Sequence, residues 1–469
     1  MIIRNLIKLS AVALSCSVAA GAAWADGAVY AMTNTLGNNQ VLVYHRAADG
    51  NLTLAQTIPT GGGGSGLQLA GVDSLGSAGS IQLDPDHSLL FVVNTESAAE
   101  NNGHGAYNTD CQQGTITSFR VASDGTLTVA DRISSGGLFP NSLTVKRVKA
   151  SNDGRGRGDE KSKDSDLLYV LNAGGPEVPV CNLHPHIVNR PNITGFTVDS
   201  SGHMEQVQPA REVDPGPSTS AGPGENCPAT GFAAAFGFPE ADLQCGLNPP
   251  SFPRSPAQVR FTPDGNRLVV TVKGTSTIYV FPVGENGRAG SPTTTQASLP
   301  ALPGPFGVTF DKNGHLLVTE LFGTATAIPA GGKGAVSSYT IAQDGNLIPI
   351  SRSVSDGGGT AACWIALEPI TGNYAYVANN LGGNGIASFR VANDGSVTLL
   401  NGTAASPAPS GPNDLAVASE GGASFLYAVA AGSGSVAAFQ IDPATGSLTA
   451  ITGGGGLPAG RSAQGLAAF

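Results

Sequence analysis

Residues 256–287 read PAQVRFTPDGNRLVVTVKGTSTIYVFPVGENG, and this stretch decides the fold. It opens with small and apolar residues, turns at Asp264-Gly265, and continues as the apolar run LVVTV. A polar Lys273 follows, then the run TIYVF and a second turn. Residues 305–345 (PFGVTFDKNGHLLVTEL…GAVSSYTIAQDG) and 363–395 (CWIALEPITGNYAYVANNLGGNGIASFRVANDG) repeat the same phrase. Each copy reads as four short strands separated by turns. A four-stranded unit recurring every roughly 40–60 residues is the signature of a β-propeller. One unit cannot bury both of its faces, so the units have to pack side by side around an axis.

Working outward, the innermost strands fall at 80–84, 141–146, 256–262, 305–311, 361–367, 412–418 and 463–469, which makes seven. The last has no room for a following strand. Its missing partners stand at the other end of the chain, at 28–34, 40–44 and 52–55. The expected fold is therefore all-β, a seven-bladed propeller whose first blade is closed by strands from both termini. Residues 26–469 form one domain, despite a length that simple division would split into three. Tight-turn pairs at Asp49-Gly50, Asp124-Gly125, Asp264-Gly265, Asp344-Gly345 and Asp394-Gly395 mark the hairpins.

Residues 1–25 read as a secretory signal peptide: Arg4 and Lys8, then an apolar middle, then Ala23-Trp24-Ala25 before Asp26. A lipoprotein reading through Cys16 is the weaker alternative, because Ala13 stands where Leu is usual. No other apolar run is long enough to span a bilayer. The chain is thus expected to be exported, periplasmic or extracellular, and not inserted in a membrane. Its formal net charge is −10, and losing Arg4 and Lys8 with the leader makes it more acidic still. That balance argues against nucleic acid, which calls for a basic stripe. The expected partner is a small-molecule substrate or surface ligand, met by a monomer.

The insertions are unevenly placed. Loops at 97–113, 174–191 and 322–333 follow a second strand, and 211–255 precedes an innermost strand. All four fall on one face of the disc. Only 150–166, with the charged run RGRGDEKSKDSD, lies on the other. Loops elaborated on one side of a rigid scaffold are where sites are built. The polar residues expected at that mouth are Asn94, Glu96, Asn172, Lys273, Glu320, Asn379, Gln258, Asn413 and Asp414. Lys273 and Glu320 hold equivalent positions in successive blades and are expected to meet. Asn at a strand end also serves to cap backbone or bridge blades.

Five cysteines remain after the leader. Cys227 with Cys245 and Cys111 with Cys181 are the candidate disulfides, and Cys363 reads as a buried small hydrophobe. His104, His184 and His186 form a weak candidate metal set beside Cys181. No G-x-S-x-G elbow, H-E-x-x-H, P-loop or strand-borne GxGxxG is present, and no cofactor is expected.

The repeat P-x-x-[LV]-x-[FV]-x-P-D-G-x-x-L-[FY]-V-x-N, followed by G-x-[IV]-x-[SG]-[FY]-x-[IV]-x-x-D-G-x-L, resembles the lactonase-type seven-bladed propellers. Their members include a 6-phosphogluconolactonase branch and the carboxy-muconate cyclases. SIQLDPDHSLLFVVNTES, PAQVRFTPDGNRLVVTVKG, GTITSFRVASDGTLTV and GIASFRVANDGSVTLL carry the likeness over nearly the whole mature chain. The resemblance implies opening or closing of a lactone ring at the channel mouth without a required metal. Glu320 is then the expected base, with Lys273 or Arg260 holding the anion. The lactonase branch carries Pro-His at innermost-strand starts, where this chain reads Pro256-Ala257, Pro305-Phe306 and Pro412-Asn413. A non-catalytic binding propeller using the loop-rich face is the alternative.

Overall fold

The computed structural model describes residues 27–66, 73, 75–95, 114–148, 165–174, 191–207, 211–213, 256–273, 276–297, 304–321, 334–381, 385–460 and 462–469. Every regular element among them is a β-strand, and the strands form seven antiparallel sheets arranged as the blades of a propeller. The innermost strands of blades 2 to 7 are Ile81–Leu83, Pro140–Val148, Pro256–Phe261, Pro305–Phe310, Thr360–Leu367 and Pro412–Glu420. Blade 1 takes its innermost strand, Leu466–Ala468, from the C-terminus and pairs it with Gly27–Met32 (Val29↔Ala468, Ala31↔Leu466). The Phe469 carbonyl accepts from Ala28 N at 3.2 Å and from Arg46 Nε at 2.9 Å, which bolts the seam.

Second strands are apolar on both faces, because each is sandwiched between neighbouring blades. Leu89–Asn94 (LLFVVN) is buried at every position, whereas the rim strand Leu52–Pro59 is largely exposed. The apolar side chains gather into wedge-shaped clusters, such as Leu89, Phe91 and Ile116 of blade 2 against Leu143, Leu168 and Phe196 of blade 3. Burial of this kind, at roughly 25 cal/mol per Å² of apolar surface, is the main favourable contribution to holding the ring.

A second device repeats around the ring. The tyrosines of four second strands donate their hydroxyls to a turn carbonyl of the next blade. The pairs are Tyr30 to Gly125 (2.8 Å), Tyr169 to Gly287 (2.8 Å), Tyr376 to Gly446 (2.9 Å) and Tyr427 to Gly50 (3.0 Å). Gly50 has φ +82°, and a Cβ there would lie 2.3 Å from the Phe425 ring. The turn glycine is what lets the tyrosine reach its carbonyl.

Two boundaries differ from the sequence reading. Ser165 and Asp166 belong to the strand Ser165–Asn172 rather than to the 150–166 loop. Arg147 draws Asp166 in at 2.7 Å while also holding Asp84 at 3.0 Å. Arg211–Glu212, placed by sequence in the 211–255 insertion, pairs with Asn192 and Ile193. The leader 1–25, the insertions 97–113 and 322–333 and most of the other three lie outside the described residues, as do Glu96, His104, His184, His186, Cys16, Cys111, Cys181, Cys227 and Cys245. Among the described residues no helix is long and apolar enough to cross a membrane.

Candidate active site at the channel mouth

The innermost strands of blades 3 to 7 share an irregularity. Their register slips near the loop-rich face, between Pro140 and Ser142, Pro256 and Gln258, Pro305 and Val308, Ala362 and Trp364, and Pro412 and Leu415. Four of the five shifts begin at a proline, which has no N–H to give the ladder. A bulge removes residues from the pairing pattern and re-aims their side chains. Asn141, Ala257, Phe306, Cys363, Asn413 and Asp414 all lie within these shifts.

A strap made of Asp73 and residues 75–79 lies across these bulges just before the innermost strand of blade 2. The Ser77 hydroxyl donates to the Asn141 carbonyl at 2.6 Å, and Ala78 N to the Ala257 carbonyl at 3.0 Å. In return the Ser77 carbonyl accepts from Trp364 Nε1 at 3.1 Å and Gln464 Nε2 at 2.6 Å. Lys273 Nζ donates to the Gly76 carbonyl and stands 5.0 Å above the Phe306 ring, which packs edge-on against Trp364. Blades 1, 3, 4 and 6 thus converge on a few residues of strap.

Charge is concentrated here. Asp73 Oδ1 accepts from Leu75 N (3.1 Å) and Gly76 N (2.8 Å), while its buried Oδ2 makes no hydrogen bond. Burial pushes the Asp73 carboxyl up, and Lys273 pulls it back. Burial pushes the Lys273 ammonium down, opposed by Asp73. On the far side Asp414 accepts from Leu415 N (2.8 Å) and Leu466 N (3.2 Å). Burial, reinforced by the Asp73 charge and opposed by those two bonds, raises Asp414 to about 8. Cys363, also buried, faces both Asp73 and Lys273, and burial raises its thiol. A carboxylate that feels a nearby ammonium, and a second carboxylate that burial keeps neutral, are the groups an acid–base set requires.

The sequence-nominated residues divide into two groups. Lys273, Gln258, Asp414 and Arg260 belong to the mouth or the channel wall below it. Gln258 Oε1 accepts from Val308 N at 2.6 Å, and Arg260, two residues further along the same strand, donates to the Val308 carbonyl at 3.4 Å. Arg260 makes no ion pair among the described residues, and burial lowers its guanidinium. Glu320 stands apart. Its carboxylate accepts from Ser337 and Ser353 of its own blade, both at 2.6 Å, and burial raises its pKa. Lys273 donates to the Gly76 carbonyl while Glu320 is held by two serines of its own blade, and no ion pair joins the two among the described residues.

The asparagines bridge blades. Asn94 accepts from Thr60 Oγ1 at 2.6 Å and Asn172 from Ser135 Oγ at 2.7 Å, each in the preceding blade. Asn379 faces Asp356 of the preceding blade, and Asn413 accepts from Asn380. Asp73, Trp364 and the strap were not anticipated. The only sequence signal was a single Asp in the Gly/Ser-rich tract GVDSLGSAGS. Among the described residues no group of three or more His, Cys, Asp or Glu is placed to hold a metal ion.

A closed seven-bladed ring with a buried Asp–Lys–Asp set among its bulged innermost strands defines a β-propeller. Residues 253–459, which carry blades 4 to 7, match the family described as Lactonase, 7-bladed beta-propeller. No curated protein matches it in sequence. Among solved structures it is similar to a periplasmic gluconolactonase from Pseudomonas aeruginosa (TM-score 0.58, 16% identity, covering 94% of this chain and 99% of that one). It is also similar to a 6-phosphogluconolactonase candidate from Bacteroides fragilis (TM-score 0.56, 16% identity, 95% and 99%). At such identities the likeness is one of fold.

Proposed function

We propose that the protein hydrolyses a lactone at the channel mouth, with Asp73 as general base, Lys273 as oxyanion holder and Asp414 as general acid. The observation that carries this reading is the unengaged Asp73 Oδ2 beside Lys273, with Asp414 held neutral at neutral pH on the other side. Asp73 takes a proton from water as the oxygen attacks the lactone carbonyl. The Lys273 ammonium stabilises the oxyanion that forms. The ring C–O bond then breaks, and the departing alkoxide takes the Asp414 proton. Positioned acid–base groups supply about 10²–10⁴-fold each, and a donor aimed at an oxyanion about 10²–10³-fold.

Arg260, lower on the channel wall, is the residue suited to hold a substrate carboxylate. Glu320, with both oxygens engaged by serines, is assigned to holding blade 5 together. The family match and the likeness to lactonase folds support the reaction class. The leader-type sequence at 1–25 and the acidic balance support export, which detection of the chain in the periplasm or medium tests. Lactone hydrolysis by the purified chain, compared with Asp73→Asn and Lys273→Met, tests the chemistry.

A further inference from the structure

Arg260 is the only charged side chain in its layer of the innermost strands. The pairing registers place Gln82, Thr144, Thr309, Ala366, Ala416 and Ala467 at the matching positions of the other blades. The last five keep 5–8% exposure, whereas Val259 and Val308, packed into hydrophobic clusters, keep 1%. Arg260 and Gln82 are more open still. The layer therefore lines a lumen that water reaches. In a ring of seven, blades 7 and 1 stand across the axis from blade 4, and there the side chains are Ala416 and Ala467. They leave room in front of the guanidinium. Further along the same strands Leu83, Phe310, Leu367 and Val417 are part-exposed, so the lumen opens toward the face away from the insertions.

The hydrogen-bond donors of this layer are largely unused. Gln258 and Arg260 grip the N–H and the carbonyl of one residue, Val308. That leaves Gln258 Nε2 and most of the Arg260 guanidinium without an acceptor among the described residues. Gln82 makes no hydrogen bond among them. The bond from Val308 N to Gln258 Oε1 fixes which way that amide faces. Both amide nitrogens, of Gln82 and of Gln258, lie within 3.4 Å of the place a Cβ on Gly79 would take. Two free amide donors thus converge beside a guanidinium on which no carboxylate acts. A part-buried charge without a partner is costly. A planar oxyanion meets two of its N–H groups at once. We propose that this layer of the channel binds a small carboxylate-like oxyanion, held by Arg260 and by the Gln82 and Gln258 amides, and entered from the face away from the insertions. The site extends the role given to Arg260 above, and its occupation needs no turnover. Two sources offer that chemistry, a carboxylate on the substrate and a free anion.

Urea midpoints of the full chain, read against sodium acetate at constant ionic strength, test the site. An anion that binds only the folded chain raises its midpoint. The parent is expected to show that rise, and Arg260→Met to lack it. Without acetate, Arg260→Met is expected to be at least as stable as the parent, having lost an uncompensated charge, so the two curves cross. Gln82→Leu keeps the charge and is expected to need about tenfold more acetate for the same rise, the worth of one hydrogen bond to a charged group. An equal acetate response in the parent and Arg260→Met overturns the site, as does no response in the parent. Should Arg260→Met not fold, an unchanged response in Gln82→Leu overturns it. With a lactone that bears a carboxylate, acetate that raises KM at constant kcat supports the site with the substrate as its occupant. Binding of acetate with KM unmoved supports it with a free anion instead. The midpoints read the site even if no lactone is turned over, so the two readings fail separately.

Discussion

Trp364 of blade 6 donates its indole N–H to the Ser77 carbonyl at 3.1 Å, across 287 residues of chain. The strap is thereby fixed to a blade far from its own, and Phe306 is wedged between Trp364 and Lys273. The polar ring expected at the mouth is thus partly engaged in holding a short piece of backbone, and the acid–base set sits beneath it.

Lys273→Met should lower lactone turnover by about 10²-fold or more, since it removes the ammonium that acts on Asp73. It also leaves a buried carboxylate unpaired, which costs stability. The double variant Asp73→Asn with Lys273→Met should recover stability without recovering activity. Urea midpoints read beside rates separate the two effects.

Glu320→Gln should leave turnover within a few-fold, because the carboxylate is engaged by Ser337 and Ser353 within blade 5. Burial raises the Glu320 pKa, so the folded state binds its proton more tightly than the unfolded state. That contribution is present at low pH and is lost as pH rises above the ordinary carboxylate range. Glu320→Gln should therefore gain relative stability at about pH 8 over about pH 5, measured by denaturant midpoint. Abolished turnover in a folded Glu320→Gln would return the base role to it.

The alkaline limb of the rate profile should follow Asp414, falling as pH passes about 8 while the general acid loses its proton. Asp414→Asn should lower the maximum and remove that limb. A profile unchanged in shape would place the acid elsewhere.

How much of this was legible follows from period and turn chemistry. The seven repeats, the closing strands and the D-G turns all rest on local sequence, and the blades follow it. The interblade role of Asn94 and Asn172 was visible as the plainer of two readings. The site was harder. Which way a polar residue points at the mouth depends on bulges starting at Pro256, Pro305 and Pro412, which depend on pairing across a sheet. Glu320 and Lys273 match in sequence position, yet Ser337 and Ser353 draw one outward while the Gly76 carbonyl holds the other on the axis. Asp73 lies in no repeat, so nothing in the period marked it.

Tyr427→Phe removes the bond to the Gly50 carbonyl and little else. It should cost about 1 kcal/mol, and Tyr30→Phe, whose bond to Gly125 joins blades 1 and 2, about the same. Additive losses in the double variant, by thermal or denaturant unfolding, are expected for separated sites. No loss in either would remove the tyrosine bridges from the account of ring stability.

The most direct test of the central claim is steady-state hydrolysis of a panel of sugar and aromatic lactones by the purified chain and by Asp73→Asn. Turnover by the parent that drops by about 10²-fold or more in a folded Asp73→Asn variant is the predicted result. Full turnover in Asp73→Asn, or loss in Glu320→Gln instead, contradicts the site assigned here.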